Sequence, residues 1–203
     1  MITETLGRNY SGLDPEAGCD EAGRGCLMGP VFAAAVVLPP DFTCPILNDS
    51  KKLSATQRNT LRAQIEKEAV AWAVASVSHQ EIDQINILQA SIAAMHLALK
   101  QLNLVPAFII VDGNRFKPWR EVPFKCHIKG DGSWMSIAAA SILAKTHRDE
   151  WVESIHPHHP EYDWASNKGY ATTKHISAIH CYGYSKWHRQ TFHLKRQTSL
   201  TFP

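Results

Sequence analysis

An α/β fold, a sheet covered by helices, is what this sequence predicts, and three observations carry the prediction. Short apolar runs alternate along the middle of the chain with amphipathic stretches. Helix-start patterns stand just beyond two of those runs. The 203 residues are 44% hydrophobic, enough for one ordinary globular domain with a real core.

The elements follow in order. VFAAAVVL (31–38) ends at Pro39-Pro40 and reads as a buried strand. Ser54 and Gln57 form a capping-box pattern, with Leu61 and Ile65 following on one helical face. AVAWAVASV (69–77) is the next strand. Ser78 and Glu81 repeat the capping pattern, and Leu88, Ile92, Met95, Leu99 and Leu102 then recur at steps of three and four, the mark of a long amphipathic helix. AFIIVDG (107–113) reads as a strand ending on an acid and a glycine, and FKCHI (124–128) as another. An alanine-rich helix is predicted over 133–155, closing before Pro157. A short helix from Thr172 to Cys181 stops at Gly183. One domain is expected over 1–203, with a helical and basic tail, about 172–203, packed on it.

Several classes are disfavoured. No apolar run reaches the roughly 18 residues of a membrane span, and MITETLGRNYSG lacks a signal-peptide pattern. Cys19, Cys26, Cys44, Cys126 and Cys181 are odd in number and scattered, without a CxxC pair, which points to reduced thiols and a cytoplasmic location. The formal net charge, +2, names no partner. Lys186, Arg189, Lys195 and Arg196, with His188 and His193, form a basic end that reads equally as phosphate contacts or as solvated tail. His156-Pro157-His158-His159 fits no helical zinc pair and reads as a surface turn. Trp151 and Ile155 read as core.

Chemistry is suggested by GCDEAGRGCLMGP (18–30), where two adjacent acids run into Gly23-Arg24-Gly25. Asp112 ends a predicted strand, and Asp131 precedes the alanine-rich helix. Crevices of open α/β sheets lie beyond strand carboxyl ends. Each acid alone has a plain reading as a turn or helix-start residue. If they converge, two carboxylates about 4 Å apart repel by about 4 kcal/mol at an effective dielectric near 20, so protons or hard divalent cations must enter. Two ions would form the clamp used at phosphodiesters. Neighbouring strand residues point to opposite faces, so for Asp20 and Glu21 to share a site the backbone is expected to bulge or turn between them. The glycine loop is neither a P-loop nor a dinucleotide fingerprint. It leaves bare backbone groups for a ligand, and the 2′-hydroxyl, donor and acceptor at once, is one group such a loop could read.

DEAGRG (20–25), NDSKKLS (48–54), VDGN (111–114), KGD (129–131), SIAAASILAKTHRD (136–149), NKGYAT (167–172) and HRQTF (188–192), in this order, give the chain a resemblance to the type 2 ribonucleases H, the ribonuclease HII family. The resemblance implies an RNase H-like fold: a mixed five-stranded sheet flanked by helices, with a helical C-terminal part. It implies an endoribonuclease that cuts the RNA strand of RNA–DNA hybrids and incises at single ribonucleotides in duplex DNA, with Mn²⁺ or Mg²⁺, two divalent ions, leaving 3′-hydroxyl and 5′-phosphate ends. Asp20, Glu21, Asp112 and Asp131 match the family's catalytic and metal-binding acids. Gly23, Arg24 and Gly25 match the loop at the 2′-hydroxyl, and Tyr170 the tyrosine on the next sugar. Lys51, Lys52 and Lys168 are candidates for phosphate contacts. Cys26, Met28 and Trp134 depart from the usual pattern, and LDPEAGC (13–19) is poor in apolar residues for a first strand. A monomer is expected, with a sliding-clamp-type partner as one use of the C-terminal TSLTFP. Two rivals stay open: a non-catalytic hybrid-binding module, and another RNase H-like nuclease such as a junction resolvase.

Overall fold

The computed structural model describes residues 6–48 and 50–192, without the side chain of Lys51. Its centre is a five-stranded sheet in the order β3-β2-β1-β4-β5. The strands are β1 (Glu16–Ala22), β2 (Val31–Val37), β3 (Ala71–Val77), β4 (Phe108–Asp112) and β5 (Phe124–His127). β2 runs antiparallel to β1 and β3, whereas β4 runs parallel to β1 and β5. The helices are α1 (Ala55–Glu68), α2 (His79–Gln101), α3 (Met135–Ile155), α4 (Trp164–Asn167) and α5 (Thr173–Tyr182). α2 packs on one face of the sheet, and α1 and α3 on the other.

Local chemistry sets most boundaries as expected. Ser54 and Ser78 each accept from the amide three residues on, and Gln57 and Glu81 reach back to the cap amide. α2 is broken at Asn86, whose φ is +64° and whose Oδ1 accepts from the amides of Leu88 and Gln89, restarting the helix. Thr172 caps α5, and Gly183 follows it with φ +79°. Among the described residues no helix is long and apolar enough to cross a membrane. All five cysteines are free thiols.

β1, the central strand, has an unusual make-up. Ala17 and Cys19 face the α2 core. The residues facing α3 are chosen for other reasons. Glu16 is buried yet accepts from the amides of Tyr10 and Ser11. At Gly18 any Cβ would collide with the backbone of Ser136, so this glycine lets α3 lie against the sheet. The alanines of α3 serve the same approach: Ala138, Ala139 and Ala140 are fully buried. α3 thereby runs along β1, with Ser136 against Gly18, Ser141 at Asp20 and Arg148 at Gly23. A third cluster, with Leu27, Met28, Val152, Tyr162, Trp164 and Ile179, binds the C-terminal helices to this frame.

Candidate active site

Two of the four predicted acids, Asp20 and Asp112, are neighbours on the α3 side of the sheet, and the turn carrying a third, Asp131, is tied to Asp112. β1 and β4 are parallel with Cys19 opposite Val111, so the next residues, Asp20 and Asp112, are neighbours on one face. Asp112 Oδ1 accepts from the Gly130 amide at 2.7 Å, which ties it to the 3₁₀ turn Gly130–Gly132 carrying Asp131. Asp20 and Asp131 are both buried. Glu21 differs. The β1–β2 register runs unbroken from Ala17 to Ala22, so there is no bulge between the two acids and the expected distortion is absent. Glu21 therefore starts from the opposite face, and its Oε1 accepts from Arg24 Nη1 at 3.0 Å.

Burial pushes the Asp20 carboxyl well above the ordinary range for an aspartate, and the charges of Glu21 and Asp112 push it the same way; bonds from Ser141 and the Glu21 amide offset part of this. The corner is thus over-supplied with negative charge, and its donors are all oxygen, the set that suits a hard divalent cation. Among the described residues, however, no three Asp, Glu, His or Cys side chains stand close enough to grip one ion. The reason is visible in the bonds: Glu21 leans to Arg24, Asp112 to Gly130, and Asp20 Oδ1 to the Glu21 amide at 2.6 Å. The residues fit such an ion in their chemistry, and would have to turn from these partners to hold it.

The glycine loop follows β1 directly. Gly23 has φ +93°, and a Cβ there would run into Arg148. Gly25 lies outside the left-handed region, and a Cβ on it would meet nothing within 4 Å. Arg24 is exposed. The turn carrying Tyr170 lies beside this loop: Leu27 N donates to Gly169 O at 2.8 Å, and Cys26 Sγ lies 3.5 Å from Lys168 O. Lys168 and Gly169 both have positive φ, which turns the chain sharply and leaves the Tyr170 ring 43% exposed. Lys145 Nζ lies 5.8 Å from that ring's centroid.

The lysines are placed less favourably for phosphate. Lys168 Nζ is held by Glu153 and by the Ala165 carbonyl. Lys52 is exposed on the 3₁₀ turn Ser50–Lys52, which adjoins Asp20 through Ser141, since Ser50 Oγ and Ser141 Oγ are 3.0 Å apart. The side chain of Lys51 lies outside the described residues. A cavity of about 540 Å³ between α1 and α3 carries Arg58, Arg62 and Lys168 against Glu66, Asp149, Glu150 and Glu153. Its net charge is acidic and none of the four candidate acids lines it, so it is not the site.

The basic C-terminal cluster divides. Lys186 is exposed, whereas His188 and Arg189 are buried, so neither of the two readings of that cluster holds for them. Residues 193–203, with His193, Lys195, Arg196 and TSLTFP, lie outside the described residues. Arg148 and Arg189 are both fully buried and neither makes a salt bridge among the described residues, though the charge of Asp83 acts on Arg189. Arg189 donates to the carbonyls of Gly29, Arg24 and Gly23 at 3.0, 2.9 and 2.8 Å. Arg148 donates to those of Pro30, Lys168 and Met28 at 3.4, 2.9 and 3.3 Å. Burying a lone guanidinium costs several kcal/mol. Three charge-assisted bonds, each worth about 1.5–3 kcal/mol, offset that cost. The sequence reading placed Arg189 in the basic end and did not single out Arg148, although THRD and HRQTF contain them.

A buried histidine pair supports the same turn. His188 Nδ1 accepts from the Ser185 amide at 2.8 Å, so its Nε2 carries the hydrogen and lies 3.1 Å from His175 Nε2, which also accepts from Trp164 Nε1 at 3.0 Å. His175 Nδ1 then donates to the Tyr170 carbonyl at 2.9 Å. Both rings must be neutral, and burial lowers both pKa values, that of His188 to about 4. Between pH 6.5 and about 4 the unfolded chain takes up a proton that folded His188 refuses. Stability should therefore be full above pH 6.5 and fall as acid is added, by up to about 3 kcal/mol from this group. Urea midpoints at pH 7.5 and 4.5 test this: His188→Gln should shrink the difference between them, and an unchanged difference would contradict the assignment.

Comparisons with known proteins give the family and the fold. A family model described as Ribonuclease HII matches residues 17–197. Proteins named Ribonuclease HII from Christiangramia forsetii and Bacteroides thetaiotaomicron are 60% identical over 178 residues and 58% identical over 179, covering 88% of this chain and 90% of each relative. The ribonuclease H2 of Pyrococcus horikoshii OT3 superposes with a TM-score of 0.71 at 25% identity, over 87% of this chain and 93% of that one. RNase HII from the PCNA:RNase HII complex of Archaeoglobus fulgidus gives 0.74 at 25%, over 92% and 99%. A Bst-RNase HIII solved in complex with Mn²⁺ shares the fold at 18% identity, with a TM-score of 0.64 over 87% and 66%. The sheet and its flanking helices are the RNase H-like α/β fold of these neighbours, and the chain belongs to the ribonuclease HII family of endoribonucleases.

Proposed function

We propose that this endoribonuclease, besides acting on the RNA of RNA–DNA hybrids, incises at single ribonucleotides embedded in duplex DNA and leaves 3′-hydroxyl and 5′-phosphate ends. The observation that carries the reading is Gly25. Neither backbone conformation nor any neighbouring atom demands glycine there, so the empty space beside it is left for something outside the chain. It opens four residues after Glu21, next to the acidic corner. A loop of bare backbone beside carboxylates suits a ribose 2′-hydroxyl, the group that separates RNA from DNA.

Asp20, Glu21, Asp112 and Asp131 are assigned as the catalytic and metal-binding acids. Two divalent ions, Mg²⁺ or Mn²⁺, would supply an acidified water and charge on the leaving oxygen. The Mn²⁺ complex of Bst-RNase HIII supports this choice by analogy of fold. The acids' own task is to concentrate negative charge where it cannot persist alone, so that the corner is completed only with its ions in place. Gly23, Arg24 and Gly25 read the ribonucleotide, and the half-exposed Tyr170 ring packs on the following sugar. Lys51, Lys52 and Lys168 are assigned to phosphates, Lys168 only after leaving Glu153. The Archaeoglobus complex with PCNA supports a sliding-clamp partner for TSLTFP.

The test is a duplex carrying one ribonucleotide, with its products mapped. Pure protein that makes no cut in Mg²⁺ or Mn²⁺ would sink the reading. Within it, Tyr170→Ala should lower kcat/KM on that duplex about tenfold to a hundredfold, the range of losing an aromatic platform. Tyr170→Phe should keep most of the activity. Thermal melting should change less than activity in either, because Tyr170 is 43% exposed and belongs to none of the core clusters.

A further inference from the structure

The carbonyls gathered by the two buried arginines come from two places only, the segment Gly23–Pro30 and Lys168. The first begins with the loop Gly23–Gly25 assigned above to the ribonucleotide, and the second lies in the turn that carries Tyr170, assigned to the neighbouring sugar. In a trans peptide plane the C=O and the following N–H point in opposite directions. The carbonyls of Gly23 and Arg24 point inward to Arg189, so the amides of Arg24 and Gly25 point away from it, and neither amide donates to another described residue. Arg148 fills the space that a side chain at Gly23 would need, and spans from Met28 and Pro30 to Lys168. The two guanidinium groups thus fix both the direction of the loop's amides and the distance from the loop to the Tyr170 turn.

We propose that Arg148 and Arg189 are positioning residues for ribonucleotide recognition: Arg189 turns the amides of Arg24 and Gly25 outward by drawing their carbonyl partners inward, and Arg148 sets the spacing between that loop and Tyr170. The inference rests on the reading of this loop given under Proposed function. A lysine at either place keeps the charge and loses the planar fork that binds several carbonyls at once.

The experiment compares wild-type protein, Arg189→Lys, Arg148→Lys and Arg189→Ala on a duplex with one ribonucleotide and on an all-DNA duplex of the same sequence. Wild-type protein is read first. Equal treatment of the two duplexes by wild type would remove the recognition reading itself, and the arginine assignment with it. Given wild-type discrimination, Arg189→Lys should remain folded by circular dichroism and lose about a hundredfold in kcat, with KM changed less than about threefold, as for a misaligned group felt mainly in the transition state. Arg148→Lys should behave likewise. Guanidinium ion should restore Arg189→Ala at least about tenfold, whereas methylammonium should not. If Arg189→Ala does not fold, the lysine variants decide. Folded lysine variants with wild-type kcat and wild-type discrimination would overturn the proposal. So would guanidinium rescue of the melting temperature without rescue of kcat.

Discussion

Asp112→Asn should abolish incision, lowering kcat/KM at least about a thousandfold, while duplex binding stays within about threefold. The size follows from position. Loss of an outer partner of a metal ligand already costs about 10–100-fold, so loss of a proposed ligand costs more. Asn keeps the shape and can still accept from the Gly130 amide, so the turn bearing Asp131 should hold. Asp20→Asn should be equally inactive but should also melt higher when metal-free. The sign follows from burial, since the folded Asp20 pKa lies well above its ordinary 3.8. In the window between the two, the unfolded chain releases a proton that the folded chain keeps. Metal-free stability therefore falls as pH rises through that window, and stays lowered above it. Divalent cation should recover the loss at neutral pH in wild type and add little in Asp20→Asn. Melting curves with and without Mg²⁺ at pH 7.5 check this; an equal metal increment in both proteins would place the ion elsewhere.

Local signals were legible and relational ones were not. Ser54 with Gln57, and Ser78 with Glu81, are capping boxes because each bond closes within four residues. The acids could be named, but their faces depended on strand order. Asp20 and Asp112 share a face because β1 and β4 are adjacent and parallel, a pairing about ninety residues apart that no short window contains. β1 itself lacked a strand's apolar pattern, because Glu16, Gly18 and Asp20 answer to the amides of Tyr10 and Ser11, to the α3 backbone and to the site. The expected bulge between Asp20 and Glu21 came from requiring both to serve one site from one face. The regular register instead sends Glu21 to the strand's other side, where it meets Arg24. His188 and Arg189 read equally as phosphate contacts or as solvated tail, because basic residues near a chain end usually face outward. The burial of Arg189 is decided by partners such as Gly23 and Gly29, some 160 positions earlier, and that of His188 by His175.

Gly23→Ala and Gly25→Ala should separate folding from recognition, although the two glycines are two residues apart. At Gly23 the backbone is left-handed and the added methyl meets the Arg148 guanidinium, which is pinned by three carbonyls and cannot swing aside as a surface side chain would. Strain at positive φ costs about 1–3 kcal/mol, and overpacking adds a similar amount. Gly23→Ala should therefore lower the urea midpoint clearly and lose activity with it. At Gly25 the methyl meets no atom of the protein and the backbone is permissive, so stability should change by no more than about 0.5 kcal/mol. Its cost should fall on substrate: kcat/KM for the ribonucleotide duplex should drop about a hundredfold, the loss expected when one positioned donor is displaced. Paired urea titrations and single-turnover cleavage measure both quantities. A Gly25→Ala protein that is stable and fully active would mean that the space beside Gly25 is not where the ribose sits.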